Sequence, residues 1–269
     1  MNKQSTYVAK SPDATGTIHY TDKENQTWQE LYARQRNIVK GRACKEFLDG
    51  LELLQLPEDR IPQCEEVSAR LGELTGWSVV PVPALIDYVT FFGLLAEKKF
   101  PAASFIRRPE ELEYLQEPDI FHEIFGHTPM LTDPRFADFT HAYGRAGATA
   151  DTKDHAILSR LYWFTMEFGL VDTADGLRTY GAGINSSIGE TQYALESDVP
   201  VRKLFDAVEA LRTPYRVDIF QTVYYVIESF EQVYELAGKN LLDLVADARE
   251  LGMLEPTFPS EEESPMYTC

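Results

Sequence analysis

Cysteine is scarce: Cys44, Cys64 and Cys269 are the only three in 269 residues, and no two share a CxxC spacing. That excludes a disulfide-stapled framework and a thiolate zinc site, and fits a reducing, cytoplasmic setting. Basic runs are missing too. Lys and Arg number 25 against 43 Asp and Glu, a net charge of −18, and no run of Lys or Arg exceeds two residues. Such a surface repels phosphates and anionic headgroups, so neither nucleic acid nor a membrane surface is an expected partner. No stretch reaches the roughly 18 apolar residues that a membrane span needs, and the N-terminal residues lack the apolar run of a signal peptide.

Against these absences, 44% of residues are hydrophobic and 12% aromatic, the composition of a packed globular protein. Residues 1–16 and 257–269 are polar, the second with three consecutive glutamates at 261–263, and are expected to be loose tails. No Gly/Ser/Pro-rich linker or internal repeat interrupts residues 17–256, so a single compact domain is expected there. Helical spacing dominates it. Trp28, Leu31, Tyr32, Ile38 and Val39, then Phe47, Leu48, Leu51 and Leu54, recur at intervals of three and four, as do Val223, Val226, Ile227, Phe230, Val233 and Tyr234. Strand candidates are short: Ile18-His19-Tyr20, residues 77–80 and residues 104–106. The fold is expected to be mainly α with short edge strands.

Chemistry concentrates in Pro118-Asp119-Ile120-Phe121-His122-Glu123-Ile124-Phe125-Gly126-His127-Thr128-Pro129. Proline and acidic residues open a short helix. Gly126 and Pro129 are expected to end it, Pro129 by pushing Thr128 out of helical dihedrals. His122 and His127 are one residue further apart than the pair in the HExxH motif of zinc proteases. At about 100° per residue, five positions leave the two rings about 140° apart on a regular helix, so that match fails. They converge only if the chain bends at Gly126; otherwise they mark a surface helix end.

A third candidate ligand is Glu167. It lies in Leu161-Tyr162-Trp163-Phe164-Thr165-Met166-Glu167-Phe168, a helix apolar nearly all round and therefore expected to be buried. A carboxylate there must be protonated, paired with an Arg such as Arg160 or Arg107, or bound to a cation. Two imidazoles and one carboxylate are the facial triad of non-haem Fe(II) oxygenases, which leaves coordination positions open for reaction. A zinc hydrolase using Glu123 and a non-catalytic all-α binding protein are the competing readings.

Three motifs in order, residues 118–127, residues 162–170 and Tyr180-Gly181-Ala182-Gly183-Ile184-Asn185-Ser186-Ser187-Ile188-Gly189-Glu190, resemble the pterin-dependent aromatic amino acid hydroxylases. The chain is similar to the short bacterial members of that family that act on phenylalanine. It has no room for the regulatory domain or tetramerisation helix of animal members, so a monomer is expected. The resemblance implies the catalytic-domain fold of the family and hydroxylation of L-phenylalanine to L-tyrosine with O₂, Fe(II) and a tetrahydropterin such as tetrahydrobiopterin, as in phenylalanine catabolism. Tryptophan is the alternative substrate.

Residue by residue, the resemblance implies that His122, His127 and Glu167 hold iron. Arg107 would grip the substrate carboxylate, with Asp119 orienting Arg107 or His122. Trp163 and Phe168 would pack on the substrate ring, and Gly183 and Ser186 would line the loop beside it, with Ser186 assisting at the carboxylate or a ligand His. Val217 would form an apolar wall where tyrosine-hydroxylating members carry Asp. Glu190 matches a position near the iron. For the pterin, Phe91 would stack on the ring, Glu123 would face its polar edge, and Val82 and Ile86 would line the pocket. Leu115 replaces a Thr that animal members have near the substrate carboxylate, and Ala84 and Tyr88 depart from the animal pterin loop.

Overall fold

The computed structural model describes residues 7–113 and 117–259; Leu115 lies outside the described residues. Helices α1 (Asp22–Val39) and α2 (Lys45–Leu54) carry the periodic residues predicted for them. A capping box starts α1: Thr21 accepts from the Glu24 amide, and the Glu24 carboxylate accepts from the Thr21 amide. Helix α3 (Cys64–Thr75) leads into β1 (Ser78–Val82), and α4 (Tyr88–Ala96) connects it to β2 (Lys99–Ala103). The two strands pair in parallel, Ser78 opposite Lys99 and Val82 opposite Ala103.

After a π-wound segment, His122–His127, come α5 (Pro134–Thr149) and α6 (Thr152–Tyr162). The latter passes directly into a second π-wound segment, Trp163–Glu167. A hairpin of β3 (Leu170–Thr173) and β4 (Gly176–Thr179) precedes α7 (Ala182–Asn185) and α8 (Ile188–Glu196). The chain continues through β5 (Val201–Leu204), α9 (Ala207–Arg212), β6 (Val223–Ile227), α10 (Glu231–Ala237) and α11 (Leu241–Leu251). The second sheet has the order β4-β3-β6-β5, with β6 parallel to both of its neighbours. Among the described residues, no helix is long and apolar enough to cross a membrane.

The architecture is mainly α with short strands, as expected, but several details differ. Val223, Val226 and Ile227 are not helical. They belong to the central strand β6, buried along its whole length, and only the following residues form α10. A strand covered on both faces reads as an unbroken apolar run, which three-and-four spacing fits by accident. Of residues 77–80, Ser78 to Val80 fall on β1 and Trp77 lies just before it. Residues 104–106 follow β2 outside any strand, with a bend at Ser104, and Ile18-His19-Tyr20 is no strand either. Ile18 instead pairs with a side chain: its amide donates to Gln63 Oε1 at 2.8 Å and its carbonyl accepts from Gln63 Nε2 at 3.0 Å.

The expected N-terminal tail is not loose where it is described. Tyr7 stacks on Phe105 with ring centroids 4.3 Å apart, and the Lys10 amide donates to the Ser104 carbonyl at 3.2 Å. At the other end, Arg216 Nη1 donates to the Pro259 carbonyl at 3.2 Å and the Thr257 and Thr222 hydroxyls are bonded at 2.6 Å; residues 260–269 lie outside the described residues.

Candidate functional site

The histidine motif folds as a π turn. Its hydrogen bonds close i to i+5, so residues five apart stack on one face, which a regular helix forbids. His122 and His127 therefore converge without the bend expected at Gly126. Thr128 stays helical, at φ −66° and ψ −27°, and Pro129 leads into a short 3₁₀ turn, where a missing amide costs little. Glycine is needed at 126 for a different reason. A Cβ there would lie 2.9 Å from the Ala182 carbonyl oxygen, so only glycine lets the π turn approach α7 this closely.

On the other side of the turn, Phe121 and Phe125 stack at 4.9 Å. Trp28 and Tyr32 of α1 and Phe47 of α2 contact them edge-on at 5.3, 5.5 and 6.0 Å. The turn is thus clamped by aromatic packing on one side and presents two imidazoles on the other.

Glu167, at the end of the second π segment, meets those imidazoles. His127 Nε2 lies 3.1 Å from His122 Nε2 and 3.1 Å from Glu167 Oε1, and His122 Nε2 lies 3.5 Å from Glu167 Oε2. Ligands about 2.1 Å from a common centre sit about 3.0 Å apart in an octahedron and about 3.4 Å apart in a tetrahedron, so this triangle has the size of one face of a coordination shell. Glu123 also brings a carboxylate oxygen within 4.8 Å of both histidines. Glu167 forms the tighter triangle. The Arg partners considered for Glu167 are engaged elsewhere, Arg107 with Asp119 and Arg160 with the Leu211 carbonyl.

The hydrogen bonds fix one tautomer. The Ser186 hydroxyl donates to the Ala182 carbonyl at 2.8 Å, so in its 2.9 Å contact with His122 Nδ1 it accepts. His122 therefore carries a proton on Nδ1 and turns Nε2 toward the triangle. Burial opposes charge on both rings. The pull of Glu167, with Glu123 and Asp119 behind it, nonetheless lifts His122 to about 9, whereas burial prevails at His127 and lowers it. Burial likewise opposes ionisation of Glu167, but the two imidazoles hold it well below the usual carboxylate range. Burial pushes Glu123 up to about 8. Without a metal, Glu167 is balanced by a proton on His122, at the Nε2 position that a bound cation would take.

Next to the triangle is an open cavity of about 150 Å³, and His122 and Glu167 form part of its wall. It brings together the predicted substrate residues Arg107, Trp163, Phe168, Gly183, Ser186 and Val217, with Glu190 beside them. Asp119, fully buried, accepts from Arg107 Nε at 2.9 Å and Nη2 at 3.0 Å, and also from the backbone amides of Arg107 and His122. Although burial opposes it, the Arg107 guanidinium keeps the Asp119 carboxyl below its ordinary value. One carboxylate thus holds the Arg107 guanidinium and caps the backbone amide of His122 at the start of the π turn. Trp163 stacks on Tyr215 at 4.1 Å and packs against Phe168 at 4.5 Å. Glu190 Oε1 accepts from the Gln221 amide at 3.0 Å and from the Tyr224 hydroxyl, and burial pushes its carboxyl up to about 7.

The four residues expected to bind a pterin do not line this cavity. Phe91, on α4, meets Tyr162 edge-on at 5.2 Å, and Tyr162 stacks on His127 at 5.9 Å. Val82 ends β1, and Ile86 lies half-buried just before α4. Pro118, Ile219 and Gln221 line the cavity without having been singled out from the sequence. Isolated positions in a loop carry no periodic signal by which to find them.

Residues 2–241 match the family model described as biopterin-dependent aromatic amino acid hydroxylase. The phenylalanine-4-hydroxylase of Pseudomonas aeruginosa is 52% identical over 260 residues, spanning 97% of this chain and 99% of that one. That of Vibrio cholerae is 51% identical, spanning 96% and 89%. Among solved structures, the apo cold-active phenylalanine hydroxylase of Colwellia psychrerythraea superposes with a TM-score of 0.92 at 51% identity, covering 96% of this chain and all of that one. The Chromobacterium violaceum enzyme with bound oxidised Fe(III) gives 0.86 at 41% identity, covering 93% and 94%. By motif order, architecture and similarity over nearly its whole length, the chain belongs to the biopterin-dependent aromatic amino acid hydroxylases.

Proposed function

We propose that the protein is a phenylalanine 4-monooxygenase, converting L-phenylalanine to L-tyrosine with O₂ and a tetrahydropterin at a non-haem Fe(II) site. The observation that carries this reading is the His122–His127–Glu167 triangle, with edges of 3.1, 3.1 and 3.5 Å, in the wall of a cavity that also holds Arg107 and an aromatic face. Two neutral imidazoles and a carboxylate suit ferrous iron and leave positions open. Bound iron and pterin supply the oxygen activation and reducing electrons that an aromatic C–H bond demands.

The chain's own groups do the rest. Arg107, held planar and in place by Asp119, receives the substrate carboxylate. Trp163 and Phe168 orient the ring and limit water around it, and Val217 closes the wall without a charge, which suits an unsubstituted phenyl group. Ser186 keeps His122 in the ligating tautomer, and Glu190 braces the cavity through the Gln221 amide. The pterin is assigned to the side formed by β1 and α4, with Phe91, Val82, Ile86 and Glu123. In the zinc-hydrolase alternative Glu123 would have to face the substrate, yet it is not part of the cavity wall. The same reading makes the enzyme cytoplasmic and monomeric, and sedimentation tests the second point.

Metal-free protein supplied anaerobically with Fe(II), phenylalanine and tetrahydropterin is expected to form tyrosine only when O₂ is admitted, and Zn²⁺ is expected not to replace iron. Undiminished turnover in a His122→Ala, Glu167→Ala double variant removes the metal assignment.

A further inference from the structure

Gln221 stands in the cavity wall with only 4% of its surface exposed, and its amide is fully engaged. Oε1 accepts from Trp163 Nε1 at 2.9 Å, while Nε2 donates to the carbonyls of Arg216 at 2.9 Å and Ile219 at 3.1 Å. This orientation is forced. An indole N–H can only donate and a carbonyl can only accept, so a flipped amide would lose all three bonds. The Gln221 backbone amide adds a fourth, to Glu190 Oε1 at 3.0 Å. One residue thereby ties together the indole on the second π segment, the carboxylate on α8 and the 216–219 loop that carries Val217.

We propose that Gln221 is a positioning residue for the hydroxylation: it sets the angle of the Trp163 ring against the substrate and locks the Val217 loop to that same indole. The stack on Tyr215, with ring planes 12° apart, and the contact with Phe168 leave the indole free to slide in its own plane. The hydrogen bond to Gln221 removes that freedom. Substrate binding and the yield of tyrosine per pterin consumed therefore depend on Gln221, although it acts through its neighbours. The proposal rests on the hydroxylase reading above, and its test includes a signal that needs no turnover.

Trp28, Trp77 and Trp163 are the only tryptophans, so the spectrum of ¹⁵N-indole-labelled protein holds three side-chain N–H signals. Their environments differ: Trp28 donates to the Pro57 carbonyl, Trp77 has no protein partner, and Trp163 donates to Gln221. Trp163→Phe assigns the third signal. In Gln221→Leu that signal is expected to shift while the other two hold, with KM for phenylalanine rising roughly tenfold, the size expected for one unpaired buried donor. Tyrosine formed per pterin oxidised should fall as well. Gln221→Glu keeps an acceptor for the indole but loses both donors to the 216–219 loop, so it should recover the indole signal and only part of the KM. In a Trp163→Phe background, Gln221→Leu should add less than about twofold to KM. An unmoved indole signal in Gln221→Leu overturns the proposal, as do equal indole shifts in the Leu and Glu variants or full additivity with Trp163→Phe. A protein with the expected indole shifts but no tyrosine formation would instead refute the hydroxylase reading.

Discussion

Replacing Glu190 by glutamine is expected to remove a pH-dependent weakness from the fold. Burial raises the Glu190 carboxyl from 4.5 to about 7, even though the Tyr224 hydroxyl and the Gln221 amide both donate to it. Between those values the folded protein holds a proton that the unfolded chain has released, so stability falls as pH rises. The contribution is fully present below the unfolded value and is lost as pH climbs through about 7. A gap of about 2.5 units at about 1.36 kcal/mol per unit puts the loss at roughly 3 kcal/mol. Glutamine preserves an acceptor for both donors and does not titrate. Tyr224, the titratable group in contact, is kept protonated through this window by burial and by Glu190 itself. Urea unfolding of wild type and Glu190→Gln at about pH 5 and about pH 8 isolates the effect, because every other group cancels in the difference. The variant should gain about 2–3 kcal/mol on wild type between the two conditions. Parallel stability curves across the interval would refute the reasoning.

Ser186→Ala should weaken ferrous binding about 10- to 100-fold, since the alanine no longer holds His122 in its ligating tautomer; metal titration checks it, and unchanged affinity contradicts the assignment. Asp119→Asn leaves Arg107 buried without its counter-charge and should cost about 3–5 kcal/mol in denaturant melts, together with a higher KM for phenylalanine. Phe91→Ala should raise KM for the tetrahydropterin several-fold and leave that for phenylalanine nearly unchanged; the reverse pattern would move the pterin away from α4.

The parts of the site that the sequence revealed are those whose chemistry conflicts with their surroundings. Glu167 stood out as a carboxylate in an apolar helix, and the structure gives it two imidazole neighbours. The spacing of His122 and His127 was visibly wrong for an α-helix, but the π winding that reconciles it was not legible. That winding depends on Phe121 and Phe125 docking onto α1 and α2, contacts between residues 93 and 78 positions apart. Strand β6 was misread for a related reason: Val223, Tyr225 and Ile227 join the main core while Tyr224 and Val226 pack with Phe168, Leu170, Ile184 and Ala194, and local periodicity carries no trace of either partner set. Gln221 left no signal at all, because a lone amide in a loop gains meaning only from the indole and carbonyls around it.

Helix α1 reaches the metal centre from two directions. Trp28 and Tyr32 grip the aromatic flank of the π turn. Gln35 Nε2 donates to the Asn185 carbonyl at 2.7 Å, holding the end of α7 just before Ser186. The π turn and the end of α7 are therefore both held by the same helix. Amide hydrogens in residues 122–127 should exchange with solvent in step with those of α1, as a single cooperative unit. Heat or denaturant that loosens the first helix would free the iron at the same moment, so metal loss would report the undocking of an element remote in sequence from every ligand.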